Sequence, residues 1–393
     1  MSGNDTGLQP DAIHAEKDDR GWLLYHSVGR FPGQREAVSA VLADTVEGWC
    51  ALDERRWPML DAGRERYFAA MGRLLNAASS TLFAAENVTT AFAKFIDALS
   101  ITTLRGRRVL IAADCFPSLH YLMAGLADRI GFTLVTVTPG AGLISVHDED
   151  MLAAWDERVA LAVVTWVTST ASHRADLARL VAHGRAMGSL VAVDATQGLG
   201  IIPFDAPALG IDFAAGAALK WMCGVPGASF GYVRPGLLQA LSPRLRGWFG
   251  KPDPFDWSLD NFRFASGASR FDTGTPSYLP FIASIPGIEW LLCTGLEKVR
   301  LVNLHLSEQL IALAQEHRIA VVSPLDAARR GGSVMLELPT TCPAADMVAT
   351  LARSGLQTDS RGQRLRLSPG PCTGIEAVQR LDRAFGIAFR DRG

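Results

Sequence analysis

The chain has no excess of one charge: 38 Lys and Arg stand against 40 Asp and Glu in 393 residues. A balanced surface lacks the electrostatic footprint that phosphate backbones or anionic lipids need, so no nucleic-acid or membrane partner is expected. No apolar run is long enough, and free enough of charge, to span a bilayer. Cysteine is sparse. The six are Cys50, Cys115, Cys223, Cys293, Cys342 and Cys372, scattered, with no Cys-x-x-Cys pair and no histidine at zinc spacing. That argues against a disulfide framework and against a structural metal, and the thiols read as reduced and buried. Internal repeats and low-complexity tracts are absent too. The opening stretch, "MSGNDTGLQPDAIHAEKDDRG", is polar and acidic and has no apolar signal core. It predicts a disordered lead-in and a cytoplasmic protein.

What is present is an alternation. From about Thr81, "RRVLIAAD", "FTLVTVTP", "VALAVVTWV" and "SLVAVDA" read as buried strands. Between them, "SLHYLMAGLADRIG" and "RADLARLVAHGRAMG" place apolar residues at helical spacing. Strand-helix-strand units of this kind imply an α/β fold, a mostly parallel sheet covered by helices, with ligands beyond the carboxyl ends of the strands. After Pro276 the pattern changes to a long helical stretch, expected to break near Pro286. Short strands in "IAVVSP", "GSVMLEL" and "RLRLSPG", with two helices, then predict a smaller α+β domain. The expected division is a lead-in over 1–20, an N-terminal segment over 21–45, a large domain over 46–285 and a small domain over 286–393.

Two residues carry the chemistry. Asp194 closes the strand "LVAVDA", and Lys220 follows a further strand, "DFAAGA", inside the apolar, glycine-rich "GAALKWMCGVPGASFGYV". A lysine at the end of such a run is costly unless it is used. An acid and a lysine at neighbouring strand ends suit pyridoxal 5'-phosphate: the lysine forms a Schiff base with the aldehyde, and the acid keeps the pyridine nitrogen protonated.

The stretch from Asp194 to Pro235 resembles the class V aminotransferases, pyridoxal-phosphate enzymes of fold type I. The family's Asp-x-x-His or Asp-x-x-Gln appears as "DATQ", and its lysine before a Gly-rich turn as "LKWMCGVPG". The likeness spans nearly all of the chain beyond the lead-in. It implies that "AENVTTAF" opens a phosphate-binding helix at Asn87, Val88 and Thr89, where backbone N–H groups favour an anion. It implies that Phe116 of "DCFPSLHY" stacks on the pyridine ring and that Gln197 contacts the cofactor's phenolic oxygen. "RFDTGTP" matches the family's Arg-Phe-Glu-x-Gly-Thr-Pro; Thr275 there would reach the phosphate of a neighbouring subunit, which implies a homodimer with composite sites. "RLRLSPG" matches Arg-hydrophobic-Ser, so Arg366 would clamp the carboxylate of an amino-acid substrate, with Arg364 on the same strand face as the rival.

Three stretches resemble the kynureninases in particular. "YHSVG" would bring Ser27 to the active site, "FPSLHY" resembles Phe-Pro-Ser-Asp-His-Tyr, and "RGWFGKPDPF" would set Trp248 beside the substrate side chain. Departures accompany the likeness. Leu219 stands where those enzymes carry Tyr, Ala218 where Ser is expected, Leu119 for Asp, and Gln197 for His. The resemblance therefore implies a kynureninase-like lyase or hydrolase with an altered substrate, acting on a Cβ–Cγ or Cβ–heteroatom bond. An aminotransferase, a cysteine desulfurase using Cys372 or Cys342, and a non-catalytic binding protein on the same fold stay open.

Overall fold

A computed structural model describes residues 20–389. Residues 1–19 of the lead-in expected over 1–20 lie outside them; its last residue, Arg20, is described and donates to Glu376 at 2.6 Å.

A seven-stranded sheet organises the molecule. Its strands are β1 (Leu82–Ala85), β2 (Arg108–Ala112), β3 (Thr133–Val137), β4 (Val159–Thr165), β5 (Leu190–Asp194), β6 (Phe213–Ala217) and β7 (Ser229–Val233), in spatial order β1-β7-β6-β5-β4-β2-β3. The five strands from β6 to β3 run parallel, and β7, set between β1 and β6, is antiparallel to both. The central strands are continuous apolar runs because helices cover both faces; in β4 every residue before Thr165 is buried. One apolar core fills each side of the sheet.

The second sheet is antiparallel. It holds β8 (Ala320–Val321), β9 (Val334–Glu337), β10 (Asp359–Arg361) and β11 (Arg364–Leu367), in the order β10-β11-β9-β8, over a third core. The segment at residues 22–25 lies along this sheet: Ser368 N donates to Leu23 O at 2.8 Å and Leu23 N to Gln357 O at 3.0 Å. The chain then crosses to the large sheet.

One expected break falls elsewhere. The helix Leu279–Thr294 runs straight through Pro286 and ends at Gly295, where φ is 87°. The next helix, Leu296–Glu316, leaves at 84°. Proline removes one backbone hydrogen bond, but Phe281 to Ile285, Gly287 and Ile288 are all buried, and that packing outweighs the loss. Glycine alone takes the left-handed φ at the turn without a Cβ clash. Among the described residues no single helix is long and apolar enough to cross a membrane.

Candidate active site

Thr165, Asp194 and Ala217 are the last residues of β4, β5 and β6, and all three line one cavity of about 790 Å³. Lys220 lines it as well, three residues past β6. A tight loop holds the lysine there: Cys223 N donates to Lys220 O at 2.9 Å, and Gly224 N to Ala218 O at 2.8 Å. The opposite wall is made by two helix starts, Asn87 to Thr90 and Phe116 to Leu119. This is the crevice beyond the strand ends where α/β sheets place ligands.

The electrostatics follow from dryness. Burial pushes the Lys220 amine below its ordinary range; Asp194 pulls the other way, and Arg366 and Arg361 add to the depression. Its Nζ sits 5.4 Å from the centre of the Phe116 ring. Burial raises the Asp194 carboxyl, against hydrogen bonds from Thr196 and the charge of Lys220. Each group therefore gains from an opposite charge delivered to the cavity.

At the first helix start, Asn87 caps the helix Val88–Ala98, its side chain accepting from Thr90 N at 2.8 Å. The first N–H groups of a helix have no intrahelical partner, and the positive dipole end favours an anion. Gln197 lines the cavity with both amide ends engaged: Nε2 donates to His26 O at 3.0 Å, and Oε1 accepts from Trp221 Nε1 at 3.0 Å. One N–H of that amide stays available. Leu119, 1% exposed, puts an apolar side chain in the wall, and Ala218 is fully buried.

Arg366 is held in a bidentate pair by Asp359, with Nε 2.7 Å from the carboxylate and Nη2 also donating. Arg364, two residues earlier on β11, pairs instead with Glu337 at 2.8 Å. His26 reaches the same carboxylate, its Nε2 3.0 Å away, while Nδ1 meets Ser368 Oγ at 2.6 Å. Arg361 donates to Ser169 Oγ at 3.3 Å, and Ser169 lines the cavity. Asp359, Arg361 and His26 carry no motif of their own in the sequence. The strand pairing that sets Asp359 opposite Arg366 was the signal, and it exists only once β10 and β11 are known to be a hairpin.

Within one chain the remaining expected site residues stand apart. Trp248 and Thr275 do not line the Lys220 cavity. Thr275 is exposed on a second cavity of about 390 Å³, shared with Lys94 and Asp272. The turn carrying Trp248 packs on that same segment, since a Cβ on Gly247 would meet Thr273 O at 1.9 Å. Ser27 lies on backbone that runs beside the lysine, between His26, which receives Gln197, and Gly29, whose N–H donates to Leu219 O at 2.8 Å.

The family model described as aminotransferase class V matches residues 65–377. The chain belongs to the class V aminotransferase family. A kynureninase of Deinococcus radiodurans is 28% identical over 325 residues, covering 81% of this chain and 73% of that protein. A kynureninase of Geobacillus thermodenitrificans is 26% identical over 92% of this chain and 84% of that one. Among solved structures, a cysteine desulfurase from Thermococcus onnurineus superposes with a TM-score of 0.82 at 17% identity, covering 94% of both chains, which establishes the shared fold. As a class V enzyme the protein uses pyridoxal 5'-phosphate. The residues present fit that group: a lysine, a buried acid, an aromatic face and a helix start share one cavity. The Thr165 hydroxyl, also in its wall, is buried with no partner in the protein.

Proposed function

We propose that this class V enzyme is a kynureninase-like lyase or hydrolase that cleaves a Cβ–Cγ or Cβ–heteroatom bond in an α-amino acid side chain, as a homodimer with composite sites. The observation that carries the reading is the meeting of Lys220, Asp194 and Phe116 in one cavity, with the positive charge of Arg366, outside its lining, felt at the lysine. The kynureninase relatives, matched over most of the chain, support this choice among class V reactions.

Bound in the cavity, the cofactor supplies an electron sink for negative charge developed at the substrate Cα. Lys220 holds the cofactor covalently and is the amine placed to move a proton at Cα. Burial depresses its basicity, the direction a general base requires. Asp194 pairs with the ring nitrogen, and the N–H groups at Val88 and Thr89, with the Thr89 hydroxyl, hold the phosphate. Gln197 offers its remaining N–H to an oxygen in the cavity. Arg366 orients the substrate carboxylate. Ser27, and Trp248 from the second copy, border the substrate side chain, and Thr275 of that copy adds a donor to the phosphate.

The wall is less polar than in kynureninases. Leu119 puts an apolar side chain in the wall where the kynureninase pattern has Asp, while Leu219 and Ala218, next to the lysine, stand where that pattern has the hydroxyl donors Tyr and Ser; a donor is worth roughly 2.7–4 kcal/mol where charge develops. The proposed substrate therefore differs from kynurenine. No cysteine of the same chain lines the cavity, and Cys372 is buried while Cys342 is half-buried away from it, which favours the lyase reading over a desulfurase.

Holoenzyme incubated with a panel of α-amino acids bearing a β-aryl ketone or a β-leaving group tests the proposal. Release of the side-chain fragment with little conversion of kynurenine is the expected result. Efficient conversion of kynurenine to anthranilate would refute the altered specificity. Stoichiometric transfer of the amine to a keto acid would replace the lyase reading by an aminotransferase.

A further inference from the structure

Arg366 is expected to receive a carboxylate, yet it already holds one. Its Nε and Nη2 edge, the fork that takes a carboxylate through two parallel bonds, is filled by Asp359. The register sets the two residues directly opposite each other on β10 and β11. His26, 3% exposed, donates from Nε2 to the same carboxylate, and the Ser368 and Ser333 hydroxyls continue the chain, 2.6 Å apart. A second carboxylate cannot share that edge, whose N–H groups are taken by Asp359, and on the Nη1 side it would meet the charge of Asp359 without the Nε–Nη2 fork.

We propose that Asp359 is a specificity-determining residue: a tethered carboxylate that fills the Arg366 fork and that the substrate's carboxylate must displace. The proposal rests on the reading of Arg366 as the substrate's carboxylate site. Tethering gives Asp359 a high effective concentration, so a free carboxylate competes only when the rest of the molecule also binds. Amino acids that offer little beyond their carboxylate are rejected. Asp359 keeps His26 and stays in the field of Arg361, whose guanidinium is itself influenced by it, while the incoming carboxylate neutralises Arg366. Asp359 acts through Arg366 and is a positioning residue in the cycle.

The test compares two probes on the holoenzyme by titration calorimetry. α-Aminoisobutyrate carries amine and carboxylate but has no Cα proton to lose; isopropylamine is the same skeleton without the carboxylate. Asp359→Asn and Asp359→Ser, both checked for a cooperative melt, should bind α-aminoisobutyrate about tenfold more tightly than the parent, with isopropylamine unchanged. Equal or weaker binding in both variants overturns the proposal, because a merely structural Asp359 can only weaken the site when removed. Arg366→Ala separates the two levels. If it binds α-aminoisobutyrate as well as the parent, the reading of Arg366 fails and the gate with it. If it loses that binding while the Asp359 variants gain nothing, the gate alone fails.

Discussion

Gly29 presses against Lys220: a Cβ added at Gly29 would lie 1.8 Å from the Lys220 carbonyl oxygen and 2.9 Å from Cys223 Cα. The N-terminal segment thus reaches the lysine loop by backbone contact, with Gly29 N donating to Leu219 O. Gly29→Ala has no room, and the clash is with backbone that cannot swing aside. Overpacking of this kind costs about 1–3 kcal/mol. We expect a lower melting temperature and reduced cofactor content in the purified variant, read by calorimetry and by visible absorbance. A variant with parental stability and full occupancy would show that the segment yields freely.

Thr275 tests the composite site. It is exposed and does not line its own chain's Lys220 cavity. In the proposed dimer it donates to the partner's phosphate, and a hydrogen bond to a charged group is worth roughly 1.5–3 kcal/mol. Thr275→Ala should therefore lose about tenfold or more in cofactor affinity while remaining dimeric by light scattering. A fully active monomer, or unchanged affinity in the variant, contradicts the proposal.

Asp359 makes the acid limb of stability predictable. Burial pushes its carboxyl up, but hydrogen bonds from His26 and Arg366 together bring it down from 3.8 to about 2. A carboxyl depressed in the folded state stabilises the fold above its unfolded value. That stability is lost as pH falls from 3.8 towards about 2. Asp359→Asn should flatten the pH dependence of the melting temperature across this window. An unchanged slope would mean the ion pair is not formed in solution.

Much of the large sheet was legible because buried parallel strands are continuous apolar runs. "VALAVVTWV" and "SLVAVDA" hold β4 and β5, and the acid at the end of the second is the end of β5. The lysine stood out because a charge in an apolar, glycine-rich run demands a use. Pro286 misled for a physical reason: local propensity marks a break, whereas burial on both sides keeps the helix whole and Gly295 turns it. The Arg366–Asp359–His26 cluster was illegible. His26 and Asp359 are 333 residues apart, and a hairpin of three residue pairs is too short to leave a periodic trace. Arg366 could be picked out by its motif, but its occupied fork could not.

In the proposed site, Lys220 is the residue that holds the cofactor. Borohydride reduction of the holoenzyme fixes the cofactor to whichever lysine carries it, and peptide mapping then names that lysine. The alternatives nearby are distinct in the structure. Lys94 donates to Ala84 O and Phe271 O on the second cavity, and Lys251 lies beside Asp256. We predict a single labelled peptide containing Lys220, and none in Lys220→Ala. Label on Lys94 or Lys251 would contradict the site described here.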